Sequence, residues 1–320
     1  MRGWWQDLTD LVLPAECGGC GTPRTVLCDG CRAALSGAVP RRVRPVPEPS
    51  GLPAVYAAAP YADEVRAALL AHKERGALAL AGALGAALAG AVRAGLRDGY
   101  QDGRARLRDG FQDGLAGLRD GRAVRIVASW HGTAGGADAS GPVLLVPVPS
   151  APWAVRARGH DPVRRITLAA AAELRRAGIP ARVVPVLRQR RAVADQSGLN
   201  ARQRYANLAG ALEVTAGGAR LLAGGRVVLV DDLVTTGATL AEAARAVRET
   251  ARADGAGEAT TAVYRRAAWE GREERKTGPE EEQAKWARNT SGMAEVNGLA
   301  GPVRAAVVAA APDSFEMNRN

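Results

Sequence analysis

Residues 227–240, VVLVDDLVTTGATL, place two adjacent carboxylates beside a loop of small residues and hydroxyls. Asp231 and Asp232 end an apolar run that predicts a buried strand, and the Ala-rich segment after the loop predicts a helix. Free amides and the dipole at a helix N-terminus attract an anion, and a glycine in the loop lets the backbone come close to it. The stretch therefore suits a phosphorylated ribose, with its hydroxyls facing the carboxylates and its phosphate facing the loop. The loop residues are Thr235, Thr236, Gly237, Ala238 and Thr239.

Two other interpretations apply to a strand that is followed by such a loop and a helix. A P-loop is excluded, because the Gly-Lys-Ser/Thr signature is missing. A helix-capping turn after an ordinary strand stays open. Ligands of open parallel sheets bind outside the carboxyl ends of the strands, and this favours a binding site.

Four cysteines, all within residues 17–31, form two C-x-x-C pairs. Cys17, Cys20, Cys28 and Cys31 can offer four thiolates to one tetrahedral metal ion, and Zn²⁺ is the usual occupant. A disulfide pair and a redox C-x-x-C are the alternatives. The first is disfavoured in a reducing compartment, and the second does not need a second copy. Because no ligand position is left vacant, we expect a structural Zn²⁺.

The composition indicates a basic protein with a core of small aliphatic residues. The net charge of +10 favours anionic partners such as nucleic acid or phosphates. The first residues include acidic side chains and lack the apolar core of a secretory signal. No apolar run approaches the roughly 20 residues that a membrane span needs. We therefore predict a cytoplasmic protein without a membrane span.

The elements that must position these residues alternate between strands and helices, which is typical of an α/β fold with a parallel sheet. Residues 54–96 predict a strand and two helices joined near Gly76. Beyond them, the predicted strands are 142–150, 179–187, 224–232 and 258–267, and the predicted helices are 161–178 and 238–255. The aspartates then lie at the carboxyl end of a buried strand.

We predict four regions along the chain: 1–40, an amphipathic helix and the cysteine module; 41–53, a Pro/Arg linker; 54–267, the α/β domain; and 268–320, a mostly disordered tail. The domain carries an insertion at about residues 96–141. Leu96, Leu107 and Leu118 head an eleven-residue repeat there, whose Asp-Gly pairs weaken a helix and whose oxygen ligands are too few for calcium.

The 227–240 stretch resembles the phosphoribosyl-pyrophosphate (PRPP) loop of type I phosphoribosyltransferases: four apolar residues, two acids, then T-T-G-A-T. The cysteine module, HKERG (72–76), VPVPSAPWAVRARGHD (146–161) and QSGLNARQRYANLAGAL (196–212) are together similar to the ComF family of competence proteins. Members of that family join a small zinc module to a phosphoribosyltransferase domain. The similarity covers roughly residues 1–95 and 143–265, with GHDPVRR where the family usually has a Gly-Phe-Asn-Gln-like run.

This resemblance implies that Asp231 and Asp232 act as the catalytic pair that holds the ribose hydroxyls, while the loop after them cradles the 5′-phosphate. It implies that the turn with Pro149 and Ser150 lies beside the pyrophosphate, which Mg²⁺ bridges to the ribose. Residues 197–207 would form a mobile lid, for which an ordinary surface loop is the alternative.

Two arginines and one lysine are candidates to compensate the charge of the pyrophosphate. Arg156 and Arg158 could neutralise it, although surface arginines are common in this Arg-rich chain. Lys73 is the only lysine before the tail. A pyrophosphate or lid role for Lys73 and a solvated helix end both stay open.

Three classes of function follow from the resemblance and the composition. The first is an active phosphoribosyltransferase that transfers phosphoribosyl from PRPP to a nitrogen acceptor and releases pyrophosphate. The second is a catalytically silent, PRPP-binding accessory protein of DNA uptake that contacts single-stranded DNA or proteins of the competence machinery. The third is a purely structural zinc protein.

Overall fold

The computed structural model describes residues 16–99, 141–191, 203, 207–267, 299 and 301–316. In residues 207–267 the side chains are described up to residue 253, and in residues 301–316 they are described up to residue 315. The predicted N-terminal helix, most of the eleven-residue repeat and most of the predicted lid lie outside the described residues.

Eight strands and eight helices have their bounds within the described part of the chain, and residues 203, 207 and 208 are also helical. The strands are β1 (Arg41–Val43), β2 (Ala54–Pro60), β3 (Val143–Pro147), β4 (Ala181–Val183), β5 (Leu187–Gln189), β6 (Leu212–Val214), β7 (Arg226–Val234) and β8 (Arg304–Ala310). The helices are α1 (Asp29–Ser36), α2 (Asp63–Glu74), α3 (Leu78–Gly99, beginning with a 3-10 turn), α4 (Pro152–Arg158), α5 (Pro162–Arg176), α6 (Gly218–Leu222), α7 (Ala238–Ala267) and α8 (Asp313–Glu316).

Six of the strands form one sheet in the order β1-β2-β8-β7-β3-β4. All neighbours in this sheet are parallel except β1, which pairs antiparallel with β2 at one edge. The mixed α/β class with a mostly parallel sheet is therefore confirmed. β7 lies in the middle of the sheet between β8 and β3. A residue at its carboxyl end therefore has a neighbouring strand on each side.

The predicted strand 258–267 is wrong, because the backbone there continues helix α7. The strand that follows α7 in the sheet is β8, which comes from the segment that we predicted to be a disordered tail. A parallel neighbour is joined by a crossover connection whose length varies widely, so sequence distance does not show which apolar run returns to the sheet. RAAVVAA, with six buried residues of seven, is the run that does.

Two short elements occupy segments that we predicted to be irregular. β1 lies inside the predicted linker 41–53, and Val43 is buried there. β5 and β6 pair antiparallel, with Leu187 opposite Val214, and the segment predicted as a lid lies between these two strands in the amino-acid sequence.

The sheet separates two hydrophobic core clusters, one on each face. One face is covered by α1, α2, α3 and α5, and the other by α7, α6, α8 and the β5–β6 pair. Cys17, Leu27, Cys31 and Leu35 belong to the first cluster. The cysteine module is thus part of the core that it shares with α2 and α3.

One helix in the described part of the chain, α3, is long and apolar enough to cross a membrane. No membrane span is predicted from the sequence. In the fold, 56% of the most apolar window of α3 is buried against the protein, including Leu80, Leu84, Leu88 and Val92. Burial of this kind is typical of a core helix.

Candidate functional site

The carboxyl end of β7 carries the two adjacent aspartates. β7 continues to Val234, two residues beyond the predicted end, because Leu233 and Val234 still pair with β8. Asp232 is buried and Asp231 is half-buried. The backbone N–H of Asp232 donates to Oδ1 of Asp231 at 2.9 Å. The two carboxylates are therefore held in fixed positions at the edge of the central strand.

The loop from Thr235 to Thr239 leads directly into α7. Gly237 has φ +73°, a left-handed conformation that favours glycine. A Cβ at this position would lie 3.1 Å from Leu52 Cδ1 and 3.2 Å from Pro45 Cγ. The loop thus packs closely against residues 45–52, while Thr235 stays exposed. The N-terminal amides of α7 begin immediately after this turn, beside the aspartates.

Lys73 forms an ion pair with Asp232, and its Nζ lies 2.8 Å from Oδ2. The side chain of Asp232 is 8% exposed and that of Lys73 is 35% exposed. Burial would lower the pKa of Lys73, but the negative charges of Asp232 and Asp231 outweigh it and raise the pKa above its ordinary 10.5. Lys73 is therefore a fixed positive charge of the site at neutral pH.

Asp231 is in a different electrostatic position. Burial raises the pKa of its carboxyl well above the ordinary 3.8, and the negative charge of Asp232 raises it further. The positive charge of Lys73 and the amide of Asp232 act in the opposite direction but do not cancel this effect. The site thus disfavours the ionised form of Asp231 until a cation or a set of hydroxyl donors faces it.

The C-terminal end of α2, which carries Lys73, is docked onto the start of α5 by two histidines. His72 is fully buried, with Nδ1 3.3 Å from the carbonyl oxygen of Ala77 and Nε2 3.5 Å from that of Pro162. His160 Nε2 lies 3.2 Å from the carbonyl oxygen of His72, and the two rings meet edge to face at 5.8 Å. Burial lowers the pKa of His72, so the neutral ring is favoured at this junction.

An ion pair next to Lys73 strengthens the same junction. Arg158 Nε lies 3.1 Å from Oε2 of Glu74, and the positive charge of Arg158 also acts on the pKa of Lys73. Arg158 is thereby brought to the site, whereas Arg156 is exposed on α4. Of the two arginines named from the sequence, Arg158 is the one that has contacts here.

The turn that follows β3 contacts the N-cap of α5. Pro149 and Ser150 are half-buried there. Ser150 Oγ donates to Oδ1 of Asp161 at 3.5 Å, and the same oxygen accepts the N–H of Arg164 at 3.1 Å as the N-cap of α5. The turn is thus joined through Asp161 to the helix that holds the His72 junction.

Lys73 is the candidate residue for which the sequence leaves two roles open. Its signal was available in HKERG, where the only lysine before residue 276 follows a histidine near a helix end. What the sequence could not show is its partner, because Lys73 and Asp232 are 159 residues apart in the chain.

The four cysteines form one compact cluster. The Sγ atoms of Cys17, Cys20, Cys28 and Cys31 all lie within 4.8 Å of one another, so they could hold a metal ion. Burial would raise the pKa of Cys17, but the amides of Cys20 and Cys28 outweigh it and lower the pKa to about 6. Burial and the neighbouring thiols raise the pKa of Cys31. The pKa values of Cys17 and Cys31 are thus shifted in opposite directions, and a bound metal ion would stabilise all four cysteines as thiolates.

The described residues thus contain two chemically distinct candidates, the carboxylate and loop site on β7 and the cysteine cluster. No protein-family model matches the chain, and a comparison with curated proteins finds no match. The residues and geometry of the two candidates therefore carry the functional assignment.

Proposed function

We propose that the chain has a type I phosphoribosyltransferase fold and binds PRPP, with Mg²⁺, at the carboxyl end of β7. The observation that carries this proposal is the meeting of Asp231, Asp232 and Lys73 directly before a glycine turn at the N-terminus of α7. A ribose bearing a phosphate at one end and a pyrophosphate at the other needs this combination of carboxylates, cation and free amides.

Each part of the site has a separate role in this proposal. Asp231 and Asp232 accept hydrogen bonds from the ribose hydroxyls. The loop residues Thr235 to Thr239 hold the 5′-phosphate with backbone amides and hydroxyls. The turn with Pro149 and Ser150 adjoins the pyrophosphate.

Charge compensation comes from the cations at the end of α2 and α4. Lys73 neutralises Asp232 in the free protein, and in this proposal Lys73 and Arg158 turn toward an entering pyrophosphate. Mg²⁺ prefers oxygen ligands, and the adjacent carboxylates fit this preference. When bound, Mg²⁺ offsets the negative charge of the pyrophosphate oxygens.

A thermal and calorimetric titration tests PRPP binding. A ligand that binds only the folded protein stabilises it by about 2.7 kcal/mol at a concentration of 100 Kd, so the melting temperature should rise with PRPP and Mg²⁺. Asp231→Asn and Asp232→Asn should each abolish the rise. Arg66→Ala, which changes an exposed residue of α2, is the matched control. The absence of both a binding heat and a change in melting temperature at millimolar PRPP with Mg²⁺ would refute the proposal.

Turnover separates the two PRPP-dependent functions. An active transferase positions PRPP so that the C1–O bond loosens toward an oxocarbenium-like state and a nitrogen nucleophile attacks. It then releases pyrophosphate when it is given an acceptor base. Pyrophosphate release with any member of a panel of nucleobases would establish the enzyme, and Asp231→Asn should abolish it.

The net charge of +10 favours the second candidate, a PRPP-binding accessory protein that contacts single-stranded DNA or competence partners. Such contact is mainly directed to phosphates and therefore weakens steeply with salt. PRPP binding without turnover, together with salt-sensitive DNA binding that changes on addition of PRPP, would identify this function. DNA binding that ignores PRPP would count against it.

We also infer that the four-cysteine cluster holds a structural Zn²⁺. Tetrahedral coordination by four thiolates leaves no position for substrate, so the ion would stabilise the fold. The cluster packs on α3, where a Cβ at Gly18 would lie 2.6 Å from Leu80 Cδ1. Loss of the ion would therefore disturb the core.

Metal analysis tests the zinc assignment. The purified protein should contain one Zn²⁺ per chain, and Cys28→Ser should lower both the zinc content and the melting temperature. A strong chelator should lower the melting temperature of the unaltered protein to a similar degree. A metal-free protein with an unchanged melting temperature would show that the cysteines do not need an ion.

A further inference from the structure

A second concave site lies along α7, one helical turn beyond the loop that precedes this helix. It is a cavity of about 290 Å³ between α7, Ser50 and Gly51 of the segment before β2, and Ala209. Its charged lining comes from three arginines and two glutamates of α7. None of the residues to which the proposed PRPP site assigns a contact lines this cavity.

The two glutamates are already committed to one of the three arginines. Glu242 is buried, and its carboxylate accepts from Nε of Arg245 at 2.8 Å and from Nη2 at 2.7 Å. Glu249 accepts from Nη1 of the same arginine. Glu242 also accepts the N–H of Leu212 at 3.0 Å, which joins α7 to β6. Both carboxylates of the lining are therefore hydrogen-bonded within α7, and three arginines against two glutamates leave the lining with a net charge of +1.

The other two arginines of the lining are Arg248 and Arg252. Among the side chains that the structure describes, neither has a carboxylate partner. Arg248 is half-buried and donates from Nη1 to the carbonyl oxygen of Gly51 at 2.6 Å. Burial lowers the pKa of Arg248, and the positive charge of Arg252 lowers it further. Two like charges thus face the same cavity, and an anion between them would relieve their repulsion.

We propose that this cavity is an anion site that takes the phosphate group of a small phosphorylated compound. Guanidinium groups present their N–H donors in a planar fork that matches phosphate oxygens, and the hydroxyl of Ser50 adds a further donor. The volume is close to the lower end of ligand pockets, which is about 300 Å³, so the compound is small. The residues of this site differ from those that are assigned to PRPP at β7.

A phosphate titration of the full-length protein tests this site. Inorganic phosphate should raise the melting temperature of the unaltered protein. The phosphate Kd derived from the shift should increase about tenfold in Arg248→Gln/Arg252→Gln, because two charge-assisted interactions are lost. Arg66→Gln/Arg220→Gln removes the same charge from exposed positions of α2 and α6 and should leave the Kd unchanged.

A second variant separates phosphate binding from stability, because Arg248 also contacts the backbone of Gly51 and its loss affects the fold directly. Arg252→Gln changes an exposed position and should itself raise the Kd severalfold. Crystals soaked in tungstate, a tetrahedral dianion with anomalous scattering, should show density between Arg248 and Arg252. The absence of a phosphate shift, an unchanged Kd in Arg252→Gln, or tungstate bound only elsewhere would each overturn the proposal.

Binding of three ligands shows which kind of compound carries the phosphate group. These ligands are inorganic phosphate, ribose 5-phosphate and a short thymidine oligonucleotide without terminal phosphates. Ribose 5-phosphate carries a phosphate monoester, and the part of its binding that is lost in Arg252→Gln should be at least as tight as that of inorganic phosphate. The oligonucleotide carries only diesters and should bind more weakly to this site. Preferential, Arg252-dependent binding of the oligonucleotide would replace the small compound by a nucleic-acid backbone and overturn the proposal as stated.

Discussion

Asp231 and Asp232 are neighbours in the chain but differ in their surroundings. Asp232 is paired with Lys73, whereas the pKa of Asp231 is raised by burial and by the charge of Asp232. The ionised form of Asp231 is therefore energetically unfavourable in the free protein. Such local disadvantage is frequent where a ligand later supplies the missing interactions.

We predict that Asp231→Asn stabilises the free protein and abolishes PRPP binding. The raised pKa means that the folded state loses stability as pH rises from 3.8 toward the pKa of folded Asp231. Asparagine keeps the Oδ1 that accepts the amide of Asp232 and removes the ionisation. Each kcal/mol gained should raise the melting temperature by about 2–4 °C at pH 7.

The pH dependence provides the control for this variant. Below the ordinary carboxyl pKa of 3.8, both proteins are neutral at this position and their melting temperatures should converge. A variant that is less stable than the unaltered protein at pH 7, or a difference that persists at low pH, would contradict the electrostatic explanation.

Lys73→Met should destabilise the protein by about 1–3 kcal/mol, because it leaves the buried carboxylate of Asp232 without its charged partner. Urea denaturation at pH 7 measures the change. In Lys73→Met/Asp232→Asn the unpaired charge is gone, so the loss should be smaller than in Lys73→Met alone. Additive losses in the double variant would show that the ion pair does not couple these residues.

At the scale of elements, the approach of α3 to α5 depends on one glycine. A Cβ at Gly85 would lie 2.4 Å from Cβ of Ala169 and 2.9 Å from the backbone nitrogen of Ala170. The two helices can therefore pack at this distance only when position 85 has no side chain. α5 carries the His72 junction, so this contact also supports the position of Lys73.

We predict that Gly85→Ala destabilises the protein by about 1–3 kcal/mol through the enforced separation of α3 and α5. Gly82, one turn earlier in α3, is the matched control, because a Cβ at that position would have nothing within 4 Å. Gly82→Ala should stabilise the helix by up to about 1 kcal/mol. Thermal denaturation of both variants measures the contrast, and equal effects of both substitutions would contradict it.

At the scale of the whole molecule, the sheet is completed from a distant part of the chain. β8 lies between β2 and β7, and Val307 pairs with Asp231. The candidate site therefore depends on residues near the C-terminus of the chain, even though none of them carries its chemistry. The cysteine module likewise belongs to the core on one face of this sheet.

Val307→Asp should prevent stable folding. Val307 is fully buried, and an unpaired charge at such a position typically destabilises by more than about 4 kcal/mol, a large part of the stability of a domain. Val39→Asp introduces the same charge where valine is 75% exposed and should have little effect. Soluble expression and circular dichroism distinguish the two. A folded Val307→Asp protein would exclude β8 from the centre of the sheet.

The local features of this protein follow from its amino-acid sequence. The buried run before Asp231, the helix after Gly237, the helix 161–178 and the paired C-x-x-C motifs depend on periodicity, turn chemistry and ligand spacing, which act over a few residues. These predictions agree with β7, α7, α5 and the cysteine cluster. The assignment of PRPP as the ligand stays a prediction.

The meeting of distant segments is seen in the folded structure alone. The choice of β8 over residues 258–267, the pairing of Lys73 with Asp232 and the contact of Arg248 with Gly51 all depend on segments far apart in the chain. Local sequence patterns contain no information about such contacts, because the free energy of an ion pair or a buried strand depends on what the rest of the chain places beside it.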